Sequence, residues 1–184
     1  VYTYYDDTDT NLIESDSFFV ITEDYNVYKC LWNAGGAAST TKPTGVSTSP
    51  FTTADSYVWK YMYTVTTAKA LKFLTNDYIP VQTLDGDDGT DQWDVQAAAV
   101  DGGVHVVKVT SGGSAYGSAP AVTITGDGTG ATANSTITAG AVTAVTITAA
   151  GTGYTRASIT FASGAAAATA IISPKGGHGA NAVE

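Results

Sequence analysis

Val107-Lys-Val-Thr-Ser-Gly-Gly-Ser-Ala-Tyr116 returns 38 positions later as Val145-Thr-Ile-Thr-Ala-Ala-Gly-Thr-Gly-Tyr154, and Val122-Thr-Ile-Thr125 returns after 37 as Ile159-Thr-Phe-Ala162. Each unit reads as strand, Gly-rich turn, Tyr, short link, strand, Gly-rich turn and an Ala/Thr strand. Two units predict roughly six to eight short strands, which suits a small sandwich or barrel. A solenoid is disfavoured, because two repeats are too few to stack stably. This tandem-repeat β domain is placed at residues 102–174.

Working towards the N-terminus, Asp85-Gly-Asp-Asp-Gly-Thr-Asp-Gln-Trp-Asp94 is polar and turn-rich, and 85–101 is read as an acidic linker. Before it, residues 17–32 read as a hairpin, with a strand from Phe18 to Thr22, a turn at Asp24–Asn26 and a return from Val27 to Trp32. Tyr57, Trp59, Tyr61, Tyr63 and Val65 alternate with Val58, Lys60, Met62 and Thr64, so a two-faced strand is expected. One short helix is expected next, capped by Thr67, with Ala70, Leu71 and Leu74 at helical spacing. A strand at Tyr78–Val81 should follow. Between the hairpin and the aromatic strand, 33–53 is rich in Gly, Ser, Thr and Pro, and Pro43 and Pro50 bar a regular ladder. A loop this long is usually functional. It is expected to be anchored by Phe51 and to embrace a neighbouring subunit, so that deleting 36–48 spares the fold and abolishes assembly. The expected fold is therefore mainly β: an antiparallel β-sandwich core over 1–84, the linker, the inserted repeat domain, and a return to the core at 175–184.

Composition restricts function. Only 14% of residues are charged, against about 25% in ordinary soluble domains. Net charge is −9 from 8 basic and 17 acidic residues, a field that repels nucleic-acid phosphates and anionic lipid. Within 102–174 the only acid is Asp127, beside the bases Lys108 and Arg156. The single cysteine, Cys30, makes no internal disulfide and reads as a buried small hydrophobe. No apolar run approaches the ~20 residues that span a bilayer.

The candidate chemistries are thin. Gly126-Asp-Gly128-Thr-Gly130 lacks the Gly-Lys-Ser/Thr ending of a phosphate loop and reads as a turn with positive φ. Asp7-Thr-Asp9-Thr-Asn11 starts like a calcium loop, but Leu12 stands where glycine is required and Phe18 where the closing Glu should be. His105 and His178 sit in no catalytic or zinc spacing. A glycosidase pair is defined by separation in space, which leaves Asp85, Asp87, Asp88, Asp91 and Asp94 as its candidates. No cofactor or metal is expected.

Several longer phrases carry a resemblance: Val20-Ile-Thr-Glu-Asp-Tyr-Asn-Val-Tyr-Lys-Cys-Leu31, Lys42-Pro-Thr-Gly-Val-Ser-Thr-Ser-Pro-Phe-Thr-Thr53, Tyr57-Val-Trp-Lys-Tyr-Met-Tyr63, Tyr78-Ile-Pro-Val81 and Ser173-Pro-Lys-Gly-Gly-His-Gly-Ala-Asn181. In this order they resemble the gene-eight-type baseplate wedge subunit of T-even-like contractile-tailed bacteriophages, over about 1–84 and 171–184. The resemblance implies a multi-domain, mostly β structural subunit of the virion that forms a homodimer and contacts other wedge proteins, without catalysis. It also implies that the chain is part of a longer subunit. Permanent interfaces favour aromatic anchors, so Trp32, Phe51, Tyr57, Trp59 and Tyr61 are the candidate interface residues. The leading alternative is a carbohydrate-binding tail adhesin or fibre domain that stacks sugars on exposed Tyr and Trp. A degradative enzyme and a surface-layer array are further readings.

Overall fold

A computed structural model describes residues 1–9 and 18–183. Ser17, at the start of the expected hairpin, and Asn11 and Leu12 of the calcium-like stretch lie outside the described residues. The chain is mainly β, with two antiparallel sheets, and divides into two compact units. Unit 1 comprises 1–99 and 178–184; unit 2 is 100–177.

Unit 1 holds β1 (Phe19–Ile21), β2 (Asn26–Asn33), β3 (Phe51–Thr52) and β4 (Tyr57–Thr64), arranged β1-β2-β4-β3. The hairpin is present: β1 and β2 pair antiparallel, and Tyr25 turns between them at φ 60°. In the central β2–β4 ladder the register shifts twice. Val27 pairs with Tyr63 and Tyr28 with Tyr61, which leaves Met62 as an extra residue. Such a bulge interrupts the two-residue alternation. The expected aromatic face therefore breaks at Met62. Met62, Tyr63 and Val65 share one core cluster with Val27 and Ala70, while Trp59 stacks on Tyr57 and Tyr61 meets Tyr28.

Among the described residues two helices form, not one. α1 (Thr67–Phe73) is capped by Thr66, one residue earlier than expected, whose hydroxyl accepts from the Lys69 amide. α2 (Asp91–Ala97) lies inside the expected linker and packs against β4 through its buried Val95. Tyr78–Val81 is no strand. Pro80 offers no amide to a ladder, and Tyr78 is bonded locally: its amide donates to the Thr75 hydroxyl and its carbonyl accepts from the Thr75 amide.

Unit 2 carries β5 (Val104–Ser111), β6 (Val122–Gly126), β7 (Thr129–Thr138), β8 (Ala141–Thr152), β9 (Ala157–Phe161) and β10 (Ala167–Ile172), ordered β6-β9-β10-β5-β8-β7. The two outer strands also meet. Ala121 bridges Asn134, and Ser135 donates to the Pro120 carbonyl at 2.6 Å. The sheet is thus curled almost into a six-stranded barrel. Val104, Val107, Tyr154, Ala170 and Ile172 form its core, with Ile124, Val145, Ile147 and Ile159 packed against them. Exposed Thr, Ser and Ala alternate with these inward residues.

The repeat governs the topology. Exchanging β5 with β8, β6 with β9 and β7 with β10 leaves the order around the ring unchanged, as a pseudo-twofold axis requires. The repeated tyrosines obey the same relation. Tyr116 donates to the Ser163 carbonyl at 2.8 Å and accepts from the Ala166 amide at 3.0 Å, both between β9 and β10. Tyr154 accepts from the Ala131 amide of β7 at 3.4 Å and packs on Gly126 and Gly128. Each tyrosine therefore fastens the splayed hairpin of the other repeat. The glycines of Gly126-Asp-Gly128 make room for that ring, since a β-carbon on Gly128 would lie 2.5 Å from Tyr154 Cδ2. At the base of the unit the chain ends meet: the Ser173 hydroxyl accepts from the Gly103 amide at 3.0 Å and donates to the Val100 carbonyl at 3.3 Å.

Candidate functional site

Three of the five expected interface residues are core. Tyr57 and Trp59 are fully buried and Tyr61 is 1% exposed, so within unit 1 they have no surface to offer a partner. Hydrophobic burial wins here because β4 is a central strand, covered by α2 and by the long loop. Trp32 and Phe51 are half-buried. Trp32 meets Tyr4 edge-on at 5.1 Å and Phe51 meets Tyr28 at 6.1 Å.

The 33–53 loop is tied to its own sheet. Tyr57 donates to the Ala37 carbonyl at 2.5 Å, Tyr28 to the Gly45 carbonyl at 2.9 Å, and Lys60 to the Thr48 carbonyl. Asp55 gathers the Ser39 hydroxyl and the amides of Thr40 and Thr41, with the Thr53 hydroxyl at its other oxygen. These donors hold the Asp55 carboxyl well below the usual range against the opposing effect of burial. Lys42 adds an exposed ion pair to Glu23 at 2.6 Å. The loop thus supplies acceptors that its own strands need.

Under it lies a feature the pattern did not reveal. Lys29 and Lys60 are direct cross-strand partners and both are buried. Like charges opposite one another are destabilising. The two amines diverge towards opposite edges of the sheet: Lys29 lies over the Tyr5 ring at 4.0 Å, and Lys60 reaches Thr48. Burial pulls the Lys60 amine down to about 8. Burial also pushes the Cys30 thiol up to about 12, which makes it a poor nucleophile.

The accessible feature of unit 1 is elsewhere. Phe19 of β1, Tyr63 beyond the bulge, Asp77, Tyr78, Ile79 and Val81 after α1, and Ala182 and Val183 line an open cleft of about 240 Å³. Tyr63 is 5% exposed, whereas Tyr78 is 75%, Val81 44% and Val183 56% exposed. Burial pushes the Tyr63 phenol up to about 12, so it stays protonated. The cleft is smaller than the 300–1,000 Å³ usual for small-molecule sites and suits one or two apolar side chains. Leu71 and Phe73 of α1 are also exposed, at 84% and 53%. Leu71, expected on one stripe with Ala70 and Leu74, faces solvent instead, because Ala70 and Leu74 are the residues of α1 that pack inwards.

The acids suggested for sugar cleavage, Asp85, Asp87, Asp88, Asp91 and Asp94, are all exposed. Asp87 and Asp88 accept from Gly89 and Thr90 in local turns. Among the described residues no group of three His, Cys, Asp or Glu could hold a metal ion, and no helix is long and apolar enough to cross a membrane. No family model, curated protein or solved structure matches the chain.

Proposed function

We propose that this chain is a structural subunit that works by assembly, in the baseplate wedge of a contractile-tailed bacteriophage. The place in a wedge rests on the ordered phrases at 20–31, 42–53, 57–63, 78–81 and 173–181. The observation that carries assembly is the apolar wall of the side-chain-sized cleft of unit 1, where Tyr78, Val81 and Val183 face solvent together. Contiguous exposed apolar surface marks interaction sites. The contact is therefore placed on this surface, and of the residues expected from the sequence only Trp32 and Phe51 remain candidates. Other wedge proteins and a second copy are the partners of this reading, the virion tail is its location, and it includes no catalysis, cofactor, nucleic acid or membrane.

The carbohydrate-binding alternative loses its platform, because buried Tyr57, Trp59 and Tyr61 cannot stack on a sugar. The test is the mass of the purified protein by light scattering, with Tyr78→Asp/Val81→Asp beside it. A dimer that the double substitution converts to a folded monomer is expected. A protein that stays monomeric at high micromolar concentration, alone and with wedge neighbours, would sink the reading.

A further inference from the structure

Nearly all strand pairing in unit 2 runs between the two repeats. Taking β5–β7 as the first repeat and β8–β10 as the second, the ladders β5·β8, β5·β10, β6·β9 and β7·β8 all cross from one to the other. Within a repeat, pairing is reduced to Thr169↔Ser158 in the second and the Ala121↔Asn134 bridge in the first. Each tyrosine fastener also crosses over. A repeat is therefore complementary to its counterpart and has little to satisfy it alone.

The covalent link between the repeats is the two-residue turn Ala139–Gly140, with φ 52° and 78°. The first value is unfavourable for a residue with a β-carbon. Opening this turn would let β7 and β8 run on as one extended segment and would release that strain. The repeat surfaces are nearly uncharged, with Asp127, Lys108 and Arg156 as the charged residues of 102–174, so two copies do not repel.

We propose that unit 2 is a self-association site at which two copies of this chain exchange repeats, the first repeat of one completing a barrel with the second repeat of the other. The exchanged dimer remakes every ladder, both tyrosine contacts and the core, and only the turn changes. Short connections under strain favour exchange of this kind. The closed form competes through an effective concentration of millimolar order, so exchange is favoured when chains fold together at comparable concentration. This inference does not depend on the wedge reading.

Asn134 and Thr146 face each other across β7 and β8 and both are exposed. Facing residues in an antiparallel pair lie about 4.5–5.5 Å apart at Cα, within disulfide reach. Full-length Asn134→Cys and Thr146→Cys chains are unfolded, mixed, refolded together at about millimolar concentration, diluted and oxidised. The expected product is a disulfide-linked pair of unlike chains, absent when either variant is refolded alone. Deleting Ala139 and Gly140 should turn it from a minor fraction into most of the protein. A single chain carrying both cysteines reports, through its internal disulfide, that the pair can bond. If that control bonds and the mixed chains do not, the proposal is overturned.

Discussion

Gly164→Ala tests the tyrosine fastening of the barrel. Gly164 sits at φ +76°, and a β-carbon there would lie 2.6 Å from Cε1 of Tyr116 and closer still to Cζ and the hydroxyl. The backbone term alone, an alanine in the left-handed region, costs about 1 kcal/mol. Expelling the ring adds more. Tyr116 is 8% exposed and its hydroxyl makes two hydrogen bonds, each worth about 1 kcal/mol net. With partial loss of ring burial, the substitution should cost about 3–4 kcal/mol. Tyr116→Ala should cost a similar ~4 kcal/mol. If the clash dominates, the double variant suffers the ring loss and the backbone term only, about 5 kcal/mol, leaving a coupling of roughly 2–3 kcal/mol. Gly153→Ala measures the backbone term separately, because Gly153 has φ +75° and open space at its β-carbon. All three tryptophans belong to unit 1. Their fluorescence thus serves as an internal control, while amide exchange or NMR of 100–177 reads unit 2 against urea. The reasoning fails if Gly164→Ala costs no more than Gly153→Ala, or if the double variant shows the full sum.

Other outcomes follow from the same contacts. The folded Lys60 amine titrates near 8, below its unfolded value of about 10.5, so the unfolded chain holds the extra proton between them and stability should rise with pH. A gain of about 2 kcal/mol between pH 8 and 10 is expected, absent in Lys60→Met. Above pH 10 the raised Tyr63 phenol opposes it, because the unfolded phenol ionises first; urea midpoints across pH would show this maximum. Deleting 36–48 strands Tyr28, Tyr57 and Lys60 and should destabilise unit 1 by at least about 3 kcal/mol in tryptophan-monitored unfolding, contrary to the sequence expectation. An unchanged midpoint would show that the loop is not part of the fold. Cys30 should ignore a thiol reagent at pH 8 until urea opens unit 1, and rapid native-state labelling would contradict its burial.

The repeat was legible because its turn glycines and tyrosines carry a fixed spacing, and the hairpin because β-branched and aromatic residues flank a polar turn. The order of the barrel strands was not legible, since it depends on pairing across 38 residues. The aromatic alternation misled for a related reason. The bulge at Met62 is set by the register against Val27 and Tyr28, which Tyr57–Thr64 alone does not encode. The same residues were put at an interface because an aromatic strand face reads alike whether it meets a partner or its own core. α2 was hidden by acidic composition, although Thr90 before it and Asp91 and Asp94 in its first turn were available as a helix start. The burial of Lys29 and Lys60 was not legible, because only tertiary packing shows where their amines end.

Val100 and Gly177 lie against each other at the base of unit 2: a β-carbon on Gly177 would be 2.5 Å from the Val100 nitrogen. The chain therefore leaves and rejoins unit 1 through almost a single point. Such adjacency lets a module be inserted or exchanged without moving the host's strands. Unit 2 has the anatomy of a replaceable cassette: a change in its length or surface chemistry leaves its paired ends, and with them the host's own strands, where they are.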